Sequence, residues 1–264
     1  MIISSTTYIR TAILKSIKMK ILVPIAKVPD TTSKIAFVDN NTRFSPEGVT
    51  FIMNPTDEWY ALVRACELKE KLGGEVVVIH VGGADAEQII RKALAIGADK
   101  AVRVDADATD AYFVASQIAN HAKAENYDLI ITGKETIDFN SFQVGGMIAE
   151  LLDLPCVALV QKLDVEGGVA TMKREIEGGT ETVEVKLPMV VCAQKELAEA
   201  RIPNMKGIMG ARTKPLAVVA PVATDKLTSI AAFALPEKAK QVKMVDKDNV
   251  AELVRLLHEE AKVI

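Results

Sequence analysis

Gly133, Gln143, Gly145 and Gly146 bracket the part of this chain best suited to holding a ligand, the stretch Tyr127–Glu150 with sequence YDLIITGKETIDFNSFQVGGMIAE. Leu129, Ile130 and Ile131 read as a buried strand. A polar turn runs from Gly133 to Ser141, and a helix begins at about Gln143 with two glycines in its first turn. A strand, a polar loop and a Gly-opened helix make an anion site, because the first helical turn has free backbone N–H groups and the positive end of the dipole. Glycine lets a ligand or a neighbouring backbone come close. The alternative is an ordinary β-α turn whose glycines only help the helix pack on the sheet.

No second constellation competes with this one. There is no Ser-His-acid order, no paired carboxylate motif and no Lys nucleophile. His80 ends an apolar strand near the expected ligand end, within reach of a ligand. Cys66, Cys156 and Cys192 are far apart in sequence, lie in apolar surroundings and show no metal-ligand spacing. Their odd number fits a reducing compartment and structural, buried thiols. His80, His121 and His258 are equally scattered, which argues against a metal site.

Composition narrows the class. The chain has 264 residues, 49% of them hydrophobic and only 5% aromatic, so a large core must be built from Val, Ile, Leu and Ala. A formal charge of −3 leaves no basic stripe for nucleic acid. No apolar run approaches the roughly 18 residues of a membrane helix.

The elements needed to position the loop repeat along the chain. Strands are expected at Ile21–Ala26, Glu75–Val81, Lys100–Val104 and Tyr127–Thr132, and helices at Pro55–Leu72, Ala84–Ile96 and Asp110–Ala124. Two short β pieces flank Asn40-Asn41. Short β-branched runs alternating with helices imply an α/β fold, an open and mostly parallel sheet with helices on both faces. Ligands then sit at the carboxyl ends of strands, where the loops after Val23, Val81, Val104 and Thr132 converge. Beyond Leu154 the pattern becomes strand-like at Val157–Leu163, Val169–Ile176, Glu181–Lys186 and Met189–Cys192. Its charged and apolar residues alternate, as in a hairpin with one wet face. Residues 195–215 show no clear period and 216–245 look extended. Asn249–Lys262 reads as an amphipathic helix.

Three regions follow: an N-terminal extension 1–18, an α/β nucleotide-binding domain 19–215, and a C-terminal arm and helix 216–264 contacting a partner. Residues 1–18 carry basic and hydroxyl side chains and no acid, as a mitochondrial presequence does. They form no long amphipathic helix, which favours a non-native or disordered tail. The compartment expected is the bacterial cytoplasm, or the mitochondrial matrix if 1–18 is a presequence.

Five segments, in order, resemble the β subunit of electron transfer flavoproteins. They are MKILVPIAKVPD, MNPTDEWYALVRACELKE, ALAIGADKAVRV, GKETIDFNSFQVGGMIAELL and KREIEGGTETVEVKLPMVVCA. The resemblance covers essentially Met19–Ile264. It implies a heterodimer with an α subunit that carries the redox-active FAD, while AMP in the β subunit serves structure. The dimer passes electrons from acyl-CoA dehydrogenases to a membrane quinone oxidoreductase, and the β subunit needs no catalytic residues of its own. Family AMP contacts fall on Pro24, Asn54, Pro55, Thr56, Asp57 and Val81, and on the loop from Gly133 through Asp138, Phe142, Gln143, Val144 and Gly145. Asn54 and Asp57 also suit a helix cap and first-turn acid.

The loop departs from the usual AMP pattern. Phe142-Gln143-Val144-Gly145 replaces Asn-Gln-Thr-Gly, which shifts phosphate binding toward backbone N–H groups. Gln-Val-Gly partly resembles bifurcating members that hold a second FAD here, but their Gly-Asp-Thr approach is Phe139-Asn140-Ser141 in this chain. AMP is placed ahead of FAD. The stretch Arg201–Gly210 aligns with the family's recognition loop, with Met205 as its apolar anchor and Arg201, Ile202 and Met209 around it. The alternative is that Met205 packs back on its own domain, and that Arg201 and Glu177 are solvated charges. Outside this class stand a nucleotide sensor resembling universal stress proteins and an adenine-nucleotide-using enzyme of the same fold. Residues 155–264 argue against the sensor. The loop Pro24-Ile25-Ala26-Lys27 lacks the glycines such an enzyme needs.

Overall fold

A computed structural model describes residues 18–237 and 242–264. The expected extension 1–18 therefore lies, but for Lys18, outside the described residues.

β1 (Met19–Pro24) lies inside a nine-stranded sheet. β6 (Gly74–Val81) and β8 (Leu129–Gly133) flank it in parallel. Outward from β6 come β7 (Lys100–Val104) and then β13 (Leu216–Val219). Outward from β8 come β12 (Met189–Ala193) and β9 (Cys156–Glu166), still parallel. β10 (Val169–Ile176) and β11 (Gly179–Lys186) finish that edge as an antiparallel hairpin. The sheet is thus the mostly parallel α/β sheet expected, with the hairpin region at one side.

Period-two alternation explains why helices must cover both faces. Met19, Ile21 and Val23 enter a core with Leu62 and Cys66 of α1 (Asp57–Leu72) and Ile90 and Leu94 of α2 (Glu87–Ile96). Leu22 and Ile79 enter the other core, with Phe113 and Ile118 of α3 (Ala111–Glu125) and Ile148 of α4 (Val144–Leu152). The helix expected at Ala84–Ile96 is a short 3₁₀ turn at Ala84–Ala86 leading into α2.

The excursion after β1 contains two small sheets. β2 (Lys27–Pro29) pairs with β5 (Phe51–Met53), and β3 (Phe37–Val38) with β4 (Arg43–Phe44). Asp39, Asn40 and Asn41 make the second turn with φ of 53°, 57° and 64°. Asn and Asp tolerate that left-handed region through local hydrogen bonds.

Residues 195–215, without a period in sequence, contain a helix, α5 (Met205–Ala211). Asn204 caps it by accepting the Gly207 N–H at 2.8 Å. Arg91 on α2 anchors its far end, donating to the carbonyls of Ala211 (3.0 Å) and Lys214 (2.8 Å). The extended stretch after β13 crosses the molecule as a strap. Gln117 bonds both backbone groups of Val222, Asp110 holds Thr228, and Phe233 stacks on Phe37 at 4.9 Å. The C-terminal helix begins as expected at Val250 behind its cap Asn249, but after Arg255 it widens into a π turn, Leu256–Ala261. Only Leu256 of it is buried.

One sequence expectation fails. Cys66 and Cys192 are buried, but Cys156 is exposed at the start of β9, and its sulfur lies 3.8 Å from that of Cys192. Adjacent parallel strands bring together thiols that sequence separation kept apart. No described helix is long and apolar enough to cross a membrane.

Candidate functional site

The chain order reverses between β1 and β8, since β6 and β7 build one way and the next strand returns to the other side of β1. Loops leaving those two strands diverge and open a crevice. A cavity of ≈ 360 Å³ fills it. Its walls are Pro24–Lys27 after β1, His80 and Val81 at the end of β6, Ala108–Ala111 before α3, and Gly133–Glu135 and Ser141–Val144 around α4. Thr228, Ser229 and Ile230 of the strap close the remaining side. The lining is largely apolar with a few convergent polar groups, as in small-molecule sites.

One end of the cavity presents backbone donors. Phe142 is left-handed (φ 51°) and Gln143 right-handed (φ −115°, ψ −41°), an alternation that turns successive N–H groups the same way. Among the described residues no side chain caps α4, so its first-turn N–H groups could take a ligand. By contrast α3 is capped by its own Asp110, which accepts the Phe113 N–H at 2.7 Å. Gly145 serves packing: a Cβ there would lie 2.4 Å from the Cys192 sulfur and 2.7 Å from the Thr132 hydroxyl. Gly146 faces open space.

The other end is acidic. Asn54, fully buried, donates to the Glu135 carbonyl (2.9 Å) and accepts the Ile137 N–H (3.3 Å), while its own N–H bonds Ala26 (3.1 Å). One residue therefore ties the two loops together, through its backbone to the loop after β1 and through its side chain to the loop after β8. Glu58 reaches into the cavity from the first turn of α1, and its Oε2 accepts the Ala26 N–H at 2.6 Å. Burial pushes its carboxyl up to about 8, outweighing that hydrogen bond, and Asp138 and Asp57 push the same way. Burial also raises Asp57, against the nearby Lys134. Gly133 makes the close fit here possible, since a Cβ would lie 2.7 Å from Glu58 Cγ.

His80 is buried, and its Nδ1 lies 2.9 Å from the Ile25 carbonyl oxygen. Burial lowers its pKa, so the ring is neutral at pH 7, Nδ1 donates, and Nε2 is an acceptor. Lys27 beside it is paired with Asp85. A shallower cleft continues past His80 and Val81 to Gly82, Gly83 and the segment 105–108. Among the described residues no three His, Cys, Asp or Glu side chains cluster as metal ligands.

Comparison with known proteins decides the lineage. The family described as Electron transfer flavoprotein domain matches residues 43–224. The chain is 38% identical over 260 residues to the electron transfer flavoprotein subunit beta of Bacillus subtilis, covering 93% of this chain and all of that protein. It is 39% identical over 235 residues to the subunit of that name in Syntrophomonas wolfei (88% and 92%), and 35% over 248 residues to the human one (89% and 97%). The chain belongs to the electron transfer flavoprotein family, on its β-subunit branch.

In this family member the cavity gathers seven of the residues expected from sequence: Pro24, Val81, Gly133, Asp138, Phe142, Gln143 and Val144. Asn54, Pro55, Thr56, Asp57 and Gly145 are not in its lining. Asn54 acts from behind as the loop tie, and Gly145 packs against β12. Sequence reading missed Glu58, whose acid beside Asp57 looks like an ordinary helix-start charge. It also missed the strap residues Thr228–Ile230, since nothing local marks a contact across 118 positions to Asp110.

The electron transfer flavoprotein segment Arg201–Gly210 presents a separate apolar surface. Met205 is 71% exposed, Ile202 83% and Met209 66%, so Met205 does not pack back on its own domain. Arg201 is tied down: its guanidinium grips the Glu70 carboxylate at 2.6 and 3.0 Å and its carbonyl accepts from Trp59 Nε1.

Proposed function

We propose that this chain is the β subunit of a heterodimer, and that it binds AMP in the cavity beside β1 and β8. The α subunit holds FAD, and the dimer carries electrons from acyl-CoA dehydrogenases to a membrane quinone oxidoreductase. The observation that carries the nucleotide reading is the uncapped N-terminus of α4 opening into a mononucleotide-sized cavity. Backbone N–H groups at Phe142–Gly145 offer a dianionic phosphate the donors that an Asn or Thr side chain would otherwise supply. Apolar Pro24, Ile79, Val81 and Ile230 suit a base or ribose.

A cavity of ≈ 360 Å³ is of the order of size a mononucleotide needs, which supports AMP. A second FAD, roughly twice as large, would extend through the adjoining cleft lined by Gly82, Gly83 and Ala108. That continuity supports the bifurcating reading as the alternative. The role of the chain in electron transfer is positional, fixing the flavin of the partner at a working distance and presenting Ile202, Met205 and Met209 to donors. Thioether side chains adapt to several pockets, which suits a carrier with more than one donor.

The test is co-expression with a cognate α subunit. A 1:1 complex that carries FAD and is reduced by an acyl-CoA dehydrogenase is expected. A chain that purifies alone, with no FAD-bearing partner, would overturn the assignment.

A further inference from the structure

Resting on the nucleotide reading above, we propose that Glu58 is a specificity-determining donor of this site. In its protonated form it gives a hydrogen bond to an acceptor on the nucleoside half of the ligand, a ring nitrogen or ribose oxygen, so that binding is coupled to holding one proton.

Glu58 is 93% buried, yet it lines the cavity. Only one of its two oxygens, Oε2, has a hydrogen-bonded protein partner among the described residues, the Ala26 N–H at 2.6 Å. That oxygen acts as an acceptor, so a proton on the carboxyl belongs to Oε1, which is left for the cavity. Oε1 is not sealed in the protein interior but opens on the cavity, where a ligand acceptor can meet its proton.

The surroundings hold the acid neutral. On its own helix the neighbour is Asp57, and across the cavity stands Asp138; both oppose ionisation. The cations on the facing elements are engaged elsewhere, Lys27 with Asp85 and Lys134 with Glu135. His80 on β6 is neutral, and Asp110 at the start of α3 is held ionised by Thr228. Among the described residues no cation acts appreciably on the Glu58 carboxyl. The uncapped start of α4 takes the phosphate, which turns the nucleoside toward Glu58. A neutral carboxyl can donate where an ionised one can only accept, so loss of the proton turns an attraction into a repulsion between two acceptors.

The experiment uses the heterodimer stripped of nucleotide and titrated with AMP between pH 7 and 9.5, where the AMP phosphate stays dianionic, with adenosine as a second probe. Above about pH 8 the affinity for both should fall, approaching tenfold per pH unit, with close to one proton taken up per ligand bound at pH 9 in buffers of differing ionisation enthalpy. Glu58→Gln, which donates at every pH, should bind with a flat profile. A flat wild-type profile without proton uptake would overturn the proposal, as would an unchanged slope in the variant. These wild-type measurements stand even if the variant misfolds. Absence of AMP binding by wild type at any pH would instead remove the nucleotide reading on which the proposal rests.

Discussion

Glu58 shows how one buried group links stability to pH. Its carboxyl is raised in the folded state, so between its unfolded value near 4.5 and about 8 the native chain holds more protons than the unfolded one. Stability must then fall as pH rises through that window, by at most about 1.4 kcal/mol per pH unit from this group. His80 works in the opposite sense: its lowered pKa costs stability only as pH falls below its ordinary value of 6.5. Denaturant titrations between pH 6.5 and 8 should therefore show a declining unfolding free energy that Glu58→Gln flattens. An equal decline in the variant would show that other groups set the trend. The two glycines of α4 offer a sharper contrast. Gly145→Ala drives a methyl into Cys192 and Thr132 and should cost about 1–3 kcal/mol. Gly146→Ala meets nothing and should be neutral or gain up to about 1 kcal/mol. Thermal melts that move both variants the same way would contradict the packing described.

At the scale of elements, the alternating strands and helices were legible because their apolar periods and glycine or asparagine stops are local. The hairpin at Asn40-Asn41, the helix beginning at Asp110 and the opening of α4 at Gln143 all fall where the residues point. What escaped the sequence depends on distant partners. Asn204 caps a helix in a stretch whose apolar residues, Ile202, Met205 and Met209, face solvent, so no buried period betrays it. The strap gives no signal either, because its contacts are a few hydrogen bonds to the distant Gln117 and Asp110 and one stacked pair with Phe37. Those contacts make a prediction. Thr228→Val removes the 2.5 Å bond to Asp110 and should expose 222–233 to limited proteolysis while β1 to β12 stay protected. A cleavage pattern identical to wild type would show that the strap is held by other means. On α5, Met205→Asp should slow electron uptake from a dehydrogenase with dimer and FAD retained. Unchanged kinetics would remove the docking role from that residue.

On the scale of the whole molecule, the function proposed would divide its work among separate surfaces: the cavity, the exposed face of α5 and the C-terminal helix. The sheet fixes the cavity through its switch point, and the strap completes it from the far end of the chain. Val250, Leu253 and Val254 remain exposed on the terminal helix, a surface suited to the α subunit in the arrangement proposed. The sequence could place the α4 end of the cavity but not Glu58 or the strap wall, which meet only once the chain has closed. The most direct test of the central claim is to release and count the nucleotides bound to the purified heterodimer. The account predicts one FAD and one AMP per dimer. Two FAD would contradict the AMP assignment and move Gln143–Gly145 and the adjoining cleft to a flavin site.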